Sequence, residues 1–209
     1  MIRPLEEQFE RDTVRRIRTL INAFEEIDLP SGPVRYMASE VRRCLEAGLL
    51  LAAVQVSAAL FERFVRKLVI LERVKDQPRR ASTSLADLLD RAENEIEADR
   101  HLNVPHLIDE LEQLTLLDDA DAAAARAYYR DVAIPLQHAL TGRYIRAQHV
   151  DGRKSVQDEL GLSHCVQFFE FENTIEDHAL EHLGVVVNFI AKYSPLCNRM
   201  LAAEAVDED

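Results

Sequence analysis

Turn-forming residues are scarce in this chain. Its 209 residues include only 6 glycines and 7 prolines, too few for the many reversals that an all-β fold of this length needs. Cysteine is sparse too. Cys44, Cys165 and Cys197 lie far apart, are odd in number and form no CxxC pair. The default for such a set is free thiols in a reducing compartment.

Long apolar runs are also missing. The most apolar stretch, AGLLLAAVQVSAALF from Ala47 to Phe61, contains Gln55 and Ser57 and is bounded by Glu46 and Glu62. It is too short and too polar to span a bilayer, and it reads as a central, nearly buried helix. The opening MIRPLEEQFERDTVRRIRTL is charged from the start and has no signal core. The expectation is a cytoplasmic protein with no membrane partner. A glycine-rich phosphate loop, GxSxG and HExxH are all lacking. That disfavours a nucleotide-binding ATPase or dehydrogenase, an elbow-type hydrolase and a common zinc protease.

What is present suits a helical bundle. Apolar residues make up 47% and charged residues 30%, ample for a core and against global disorder. The net charge of -12 opposes non-specific binding to nucleic acid or to an anionic membrane. The charge is uneven, however. Basic residues gather at Arg11, Arg15, Arg16 and Arg18, at Arg73, Lys75, Arg79 and Arg80, and at Arg143, Arg146, Arg153 and Lys154, while the acidic excess lies in 84–121 and 158–181.

Apolar spacing of three and four predicts a first helix over 5–28, carried by Phe9, Val14, Ile17, Ile21 and Phe24 and stopped by LPSGP at 29–33, with Ser31 as its candidate following cap. A very long helical region over 34–74, with a break near Gly48, is the expected centre of the bundle. Ser84 and Asp87 fit a capping box, and so do Ser155 and Asp158. Pro105 suits the first turn of a helix over 105–117, and Asp118, Asp119 and Asp121 suit the positive end of the next. Pro135 should interrupt or kink that helix and disfavour helical geometry at Ile134. A last core helix is expected over about 165–193. The sum is an all-α fold of four principal helices with short extras, one domain over 1–200 and an acidic tail over 201–209.

The segment from Ala123 to His149 holds the most chemistry. It brings Arg126, Tyr128, Tyr129, Arg130, His138, Arg143, Tyr144, Arg146 and His149 into two helical stretches. Arginine neutralises phosphate charge and histidine moves protons near neutral pH. RNA supplies its own 2′-hydroxyl nucleophile, so cleavage needs only those two services. Tyrosines such as Tyr129 and Tyr144 can stack on bases, with Arg126 and Arg146 on the backbone. The structural alternative is a helix with solvated arginines and packed tyrosines. A second cluster, His178 and His182, lies four residues apart on one helix face. Asp177 and Glu181 are nearby, and His164 with Cys165 could join through space, but the spacing itself supplies only two metal ligands, so surface or core-edge histidines and no metal are expected there.

Two regions resemble the HEPN superfamily of prokaryotic defence and toxin–antitoxin loci. CLEAGLLLAAVQVSAALFERFVRKLVI, residues 44–70, looks like its Ala-rich helix ending in a Leu/Phe–Glu–x–x–Leu/Val–Arg pattern, and YYRDVAIPLQHALTGR, residues 128–143, looks like its Arg-x4–6-His helix. TSLADLLDRAENE between them is similar to the linking segment, and the likeness covers about 40–190. The resemblance implies a HEPN-like four-helix bundle and a homodimer. It further implies metal-independent endoribonuclease activity without a cofactor, and a cognate antitoxin or regulatory protein as partner. His138 fits the motif histidine, but Ala133 stands at the motif arginine position. Three accounts follow: a non-catalytic member, an arginine replaced to disarm a toxic nuclease, or service by another arginine such as Arg130 or Arg143. The other function class is a non-catalytic helical protein-interaction module.

Overall fold

A computed structural model of the chain describes residues 3–30, 32–75, 84–99, 102–136 and 174–206. Among these residues the regular elements are all helical. Helix α1 spans Leu5–Gln8 and α2 Arg11–Glu26. Helix α3 spans Pro33–Glu46, α4 Leu50–Lys75, α5 Leu85–Ala98 and α6 Val104–Gln113. Helix α7, Asp119–Tyr128, runs into a π-helical turn at Tyr129–Ala133, and α8 spans Ala179–Val206.

Helix α4 is the axis of the molecule, as its sequence requires. Leu50, Val54, Leu60, Phe61, Phe64, Leu68 and Leu71 are all buried, on more sides than one neighbour can cover. It is packed by α3, α5, α6, the π turn and α8, while α2 closes the far side against α3 and α8. At its midpoint Phe61 meets Tyr128 and Phe189, each with ring centroids 5.1 Å away, and Phe189 continues to Tyr193 at 4.9 Å. These tilted and edge-on contacts join α4, α7 and α8 into one core. No described helix is long and apolar enough to cross a membrane.

Local chemistry sets most helix ends where the sequence places them. The Ser84 hydroxyl accepts from the Asp87 amide while the Asp87 carboxylate accepts from the Ser84 amide. Asn103 caps α6 through the His106 amide, with Pro105 in the first turn, and Asp118 caps α7 through the Asp121 amide. The break at Gly48 is real: φ is +72°, and Leu49 donates to the Cys44 carbonyl as Gly48 donates to Leu45. This is the paired bonding of a glycine-terminated helix. Gly32 stands at the N-cap of α3, ahead of Pro33. Ser31 lies outside the described residues, as does the Ser155 and Asp158 box.

Three expectations need correction. The first helical pattern is two helices, because Phe9 is extended (φ -134°, ψ 157°). That turn lays Gln8 and Phe9 over Gly48, where a Cβ would come within 2.6 Å of Gln8 Oε1 and 3.0 Å of the Phe9 ring. Ile134 is helical (φ -60°, ψ -52°) despite preceding Pro135. The proline's missing donor is accommodated upstream instead, where the helix widens and the Ile134 amide reaches back five residues to the Tyr129 carbonyl. Finally, α8 passes through Pro195 and reaches Val206. Buried Tyr193 and Cys197 hold the chain on both sides of that proline, so tertiary packing outweighs the local penalty.

Candidate functional site

The middle of α4 and the π turn meet in space. Glu62 and Arg66, the Glu and Arg of the Phe61–Glu62–x–x–Val65–Arg66 pattern, form an i,i+4 ion pair on α4, with Arg66 Nη2 2.9 Å and Nε 3.2 Å from Glu62 Oε1. Tyr129 of the π turn lies beside them. Its phenol pKa is raised first by burial and then by Glu62, and Arg66 pulls it down. One residue earlier, the Tyr128 hydroxyl lies 3.2 Å from Ser57 Oγ, and Ser57 donates to the Val54 carbonyl within α4. Burial holds the Tyr128 phenol far above the usual tyrosine range. Both rings are packed surfaces. Tyr129 is only 8% exposed and presents no open face for a base to stack on.

The two arginines of this segment among the described residues, Arg126 and Arg130, are already engaged. Arg126 projects from α7 toward α6 and donates from Nε to Asp109 Oδ1 at 2.8 Å, with its other arm on Glu112. These carboxylates, Glu112 foremost, raise its pKa. A phosphate arriving there would have to displace two acidic groups. Arg130 lies on the exposed side of the π turn and binds its neighbour Asp131 through both arms, at 2.6 and 2.7 Å. That pair depresses the Asp131 carboxyl and raises the guanidinium, but an exposed pair contributes little to stability. Ala133 is fully buried. An arginine there would carry its charge into the apolar core unless its long stem could reach water. His138, Arg143, Tyr144 and Arg146 lie outside the described residues, as do His149, His164 and Cys165.

A feature that composition and motif reading passed over is a groove of about 520 Å³ along α4, lined by Met37 of α3, by Arg63 and Arg66, by Ile96 and Glu97 of α5, and by Leu102. Arg63 spans it to Glu93 and, at 3.8 Å, to Glu97. Its sequence signal was the two charged pairs within LFERFVRKL, Glu62–Arg63 and Arg66–Lys67, which recur four residues apart beside the apolar stripe. Guanidinium and carboxylate groups alternate along its wall, so it carries no strong field of one sign.

His178 and His182 both lie among the described residues. His178 is exposed and His182 half-buried, with ring centroids 6.3 Å apart. Burial, then the neighbouring His178, lowers the His182 pKa, against an opposing pull from Glu181. Glu181 itself is held by Arg16 of α2 at 2.5 Å. Among the described residues no three His, Cys, Asp or Glu side chains surround a common point. The chain matches no protein-family profile, no curated protein and no solved structure.

Proposed function

We propose that this all-α chain is a HEPN-like bundle that acts as a non-catalytic protein-interaction module. It is expected to pair with itself and with a regulatory partner of a defence or toxin–antitoxin system. The observation that carries the reading is the state of the segment expected to cut RNA. Arg126 is closed between Asp109 and Glu112, Tyr128 and Tyr129 are core residues, and the motif arginine position is Ala133, buried. The net charge of -12 works against RNA affinity as well.

The nuclease remains the second reading because Arg130 is solvent-facing and bound only by an exposed neighbour among the described residues. It precedes His138 by eight residues, about two helical turns. In that reading His138 is the general acid/base and Arg130, with Arg143, steadies the phosphate. Untagged protein incubated with cellular RNA in EDTA separates the two. The module reading expects no cleavage, and no RNA retained at physiological salt. Metal-independent cleavage that disappears in His138→Ala and in Arg130→Ala would overturn it.

A further inference from the structure

The histidine pair at the start of the last helix, His178 just ahead of it and His182 within it, has no part in the function proposed above. The His182 amide donates to the His178 carbonyl at 3.0 Å and the His178 amide to the Thr174 carbonyl at 3.2 Å. His178 is the turn residue just ahead of α8, and the bond from His182 back to it brings the two imidazoles to one side, with ring centroids 6.3 Å apart. The turn is braced from two directions. Ile175 and Ala179 are buried in the core, and Glu181 is tied across to Arg16 on α2.

Two imidazoles on one ion, each bonded at about 2.1 Å, place their ring centres roughly 5 Å apart. The rings here stand 6.3 Å apart with planes at 64°. Closing the gap takes a rotation of His178, which is exposed and free to turn, toward His182, which is half-buried and fixed. Glu181 is held by Arg16, and among the described residues no third His, Cys, Asp or Glu converges on the pair.

We propose that His178, just ahead of α8, and His182, in its first turn, form a two-imidazole chelate for a borderline divalent transition-metal ion, zinc or nickel. Imidazole ligands select such ions over the hard, oxygen-seeking calcium and magnesium. The ion staples the turn that docks α8 against α2, and its remaining positions stay open to exchangeable ligands.

Untagged protein titrated with zinc chloride or nickel chloride at pH 7.5 should take up one ion per chain at this pair. At saturating metal the thermal midpoint should rise by about 4 °C, with no shift from magnesium chloride. His178→Gln and His182→Gln should each weaken binding at least tenfold. His178 is exposed, so its variant keeps the fold and decides the matter even where His182→Gln is destabilised. Absence of zinc and nickel binding by the wild-type chain overturns the proposal, and so does binding of unchanged affinity in the double variant.

Discussion

A glycine and a threonine occupy the same unusual backbone conformation one residue past the C-cap of two helices. Gly48 follows α3 with φ +72° and Thr115 follows α6 with φ +58°. Each is followed by a residue whose amide closes the helix end, Leu49 on Cys44 and Leu116 on Leu111. The left-handed region costs an L-residue with a Cβ about 1–2 kcal/mol, and β-branched residues tolerate it worst. Gly48 escapes that cost, and its missing Cβ also makes room for Gln8 and Phe9. Gly48→Ala should therefore destabilise the fold by about 2 kcal/mol or more, the conformational penalty adding to the contact with the Phe9 ring. Thr115 is exposed and packs against nothing that glycine would lose. Thr115→Gly relieves about 1–2 kcal/mol of strain and costs about 0.5–1 kcal/mol of unfolded-chain entropy. A net gain of about 0.5–1 kcal/mol should appear as a higher midpoint in urea unfolding, and a lower midpoint would refute it.

Between elements, the ion pairs differ in what they hold. Arg73 near the end of α4 grips Glu110 of α6 through two parallel bonds, Nε at 2.8 Å and Nη2 at 2.6 Å. Both side chains are about three-quarters buried. The planar fork fits the carboxylate with no further ordering, and Glu110 is the main reason the Arg73 pKa is raised. Arg15 and Asp12 form a pair on α2 that is almost wholly exposed, at 3.2 Å. A double-mutant cycle on Arg73→Met and Glu110→Gln should give a coupling of about 1–2 kcal/mol, against less than about 0.5 kcal/mol for Arg15 and Asp12. Equal couplings would mean that α4 and α6 are joined by apolar packing alone. The same contrast explains what the sequence could show. Ser84 with Asp87, Pro105 in the first turn of α6, Asp118 at α7 and Gly48 were legible because each acts on backbone within a few residues. The destination of Arg126 was not, since Asp109 and Glu112 reach it only once α6 and α7 pack. Nor was the course of α8 past Pro195, where buried side chains on both sides decide. Tyr129 looked like a stacking residue in the chain and proved to be a core residue beside Glu62 and Arg66.

At the scale of the whole molecule, the core should set the pH at which the fold fails. Tyr128, Tyr129 and Tyr193 are 4%, 8% and 6% exposed, and burial is the first cause of a raised phenol pKa in each. Tyr193, which also donates to Asp121, is pushed up to about 12. Burial likewise lifts the Cys197 thiol to about 11. In the unfolded chain these groups ionise at their ordinary values, about 8.5 for the thiol and about 10 for a phenol. Their folded-state pKa values are higher, so the stability linked to them is fully present below those ordinary values. As pH rises, the unfolded state sheds protons that the folded state keeps, and stability falls by up to about 1.4 kcal/mol per pH unit for each group. The loss should begin near pH 9 with Cys197 and steepen above pH 10, where three tyrosines act together. Absorbance at 295 nm and far-UV circular dichroism, followed in one alkaline titration, should then share a single transition above pH 10 for three of the five tyrosines. Tyr128→Phe should make the decline shallower by one phenol's share, since the lost hydroxyl no longer ionises on unfolding. Reversible ionisation of all five near pH 10 with the helical signal intact would show that the aromatic core around Phe61 is open to water.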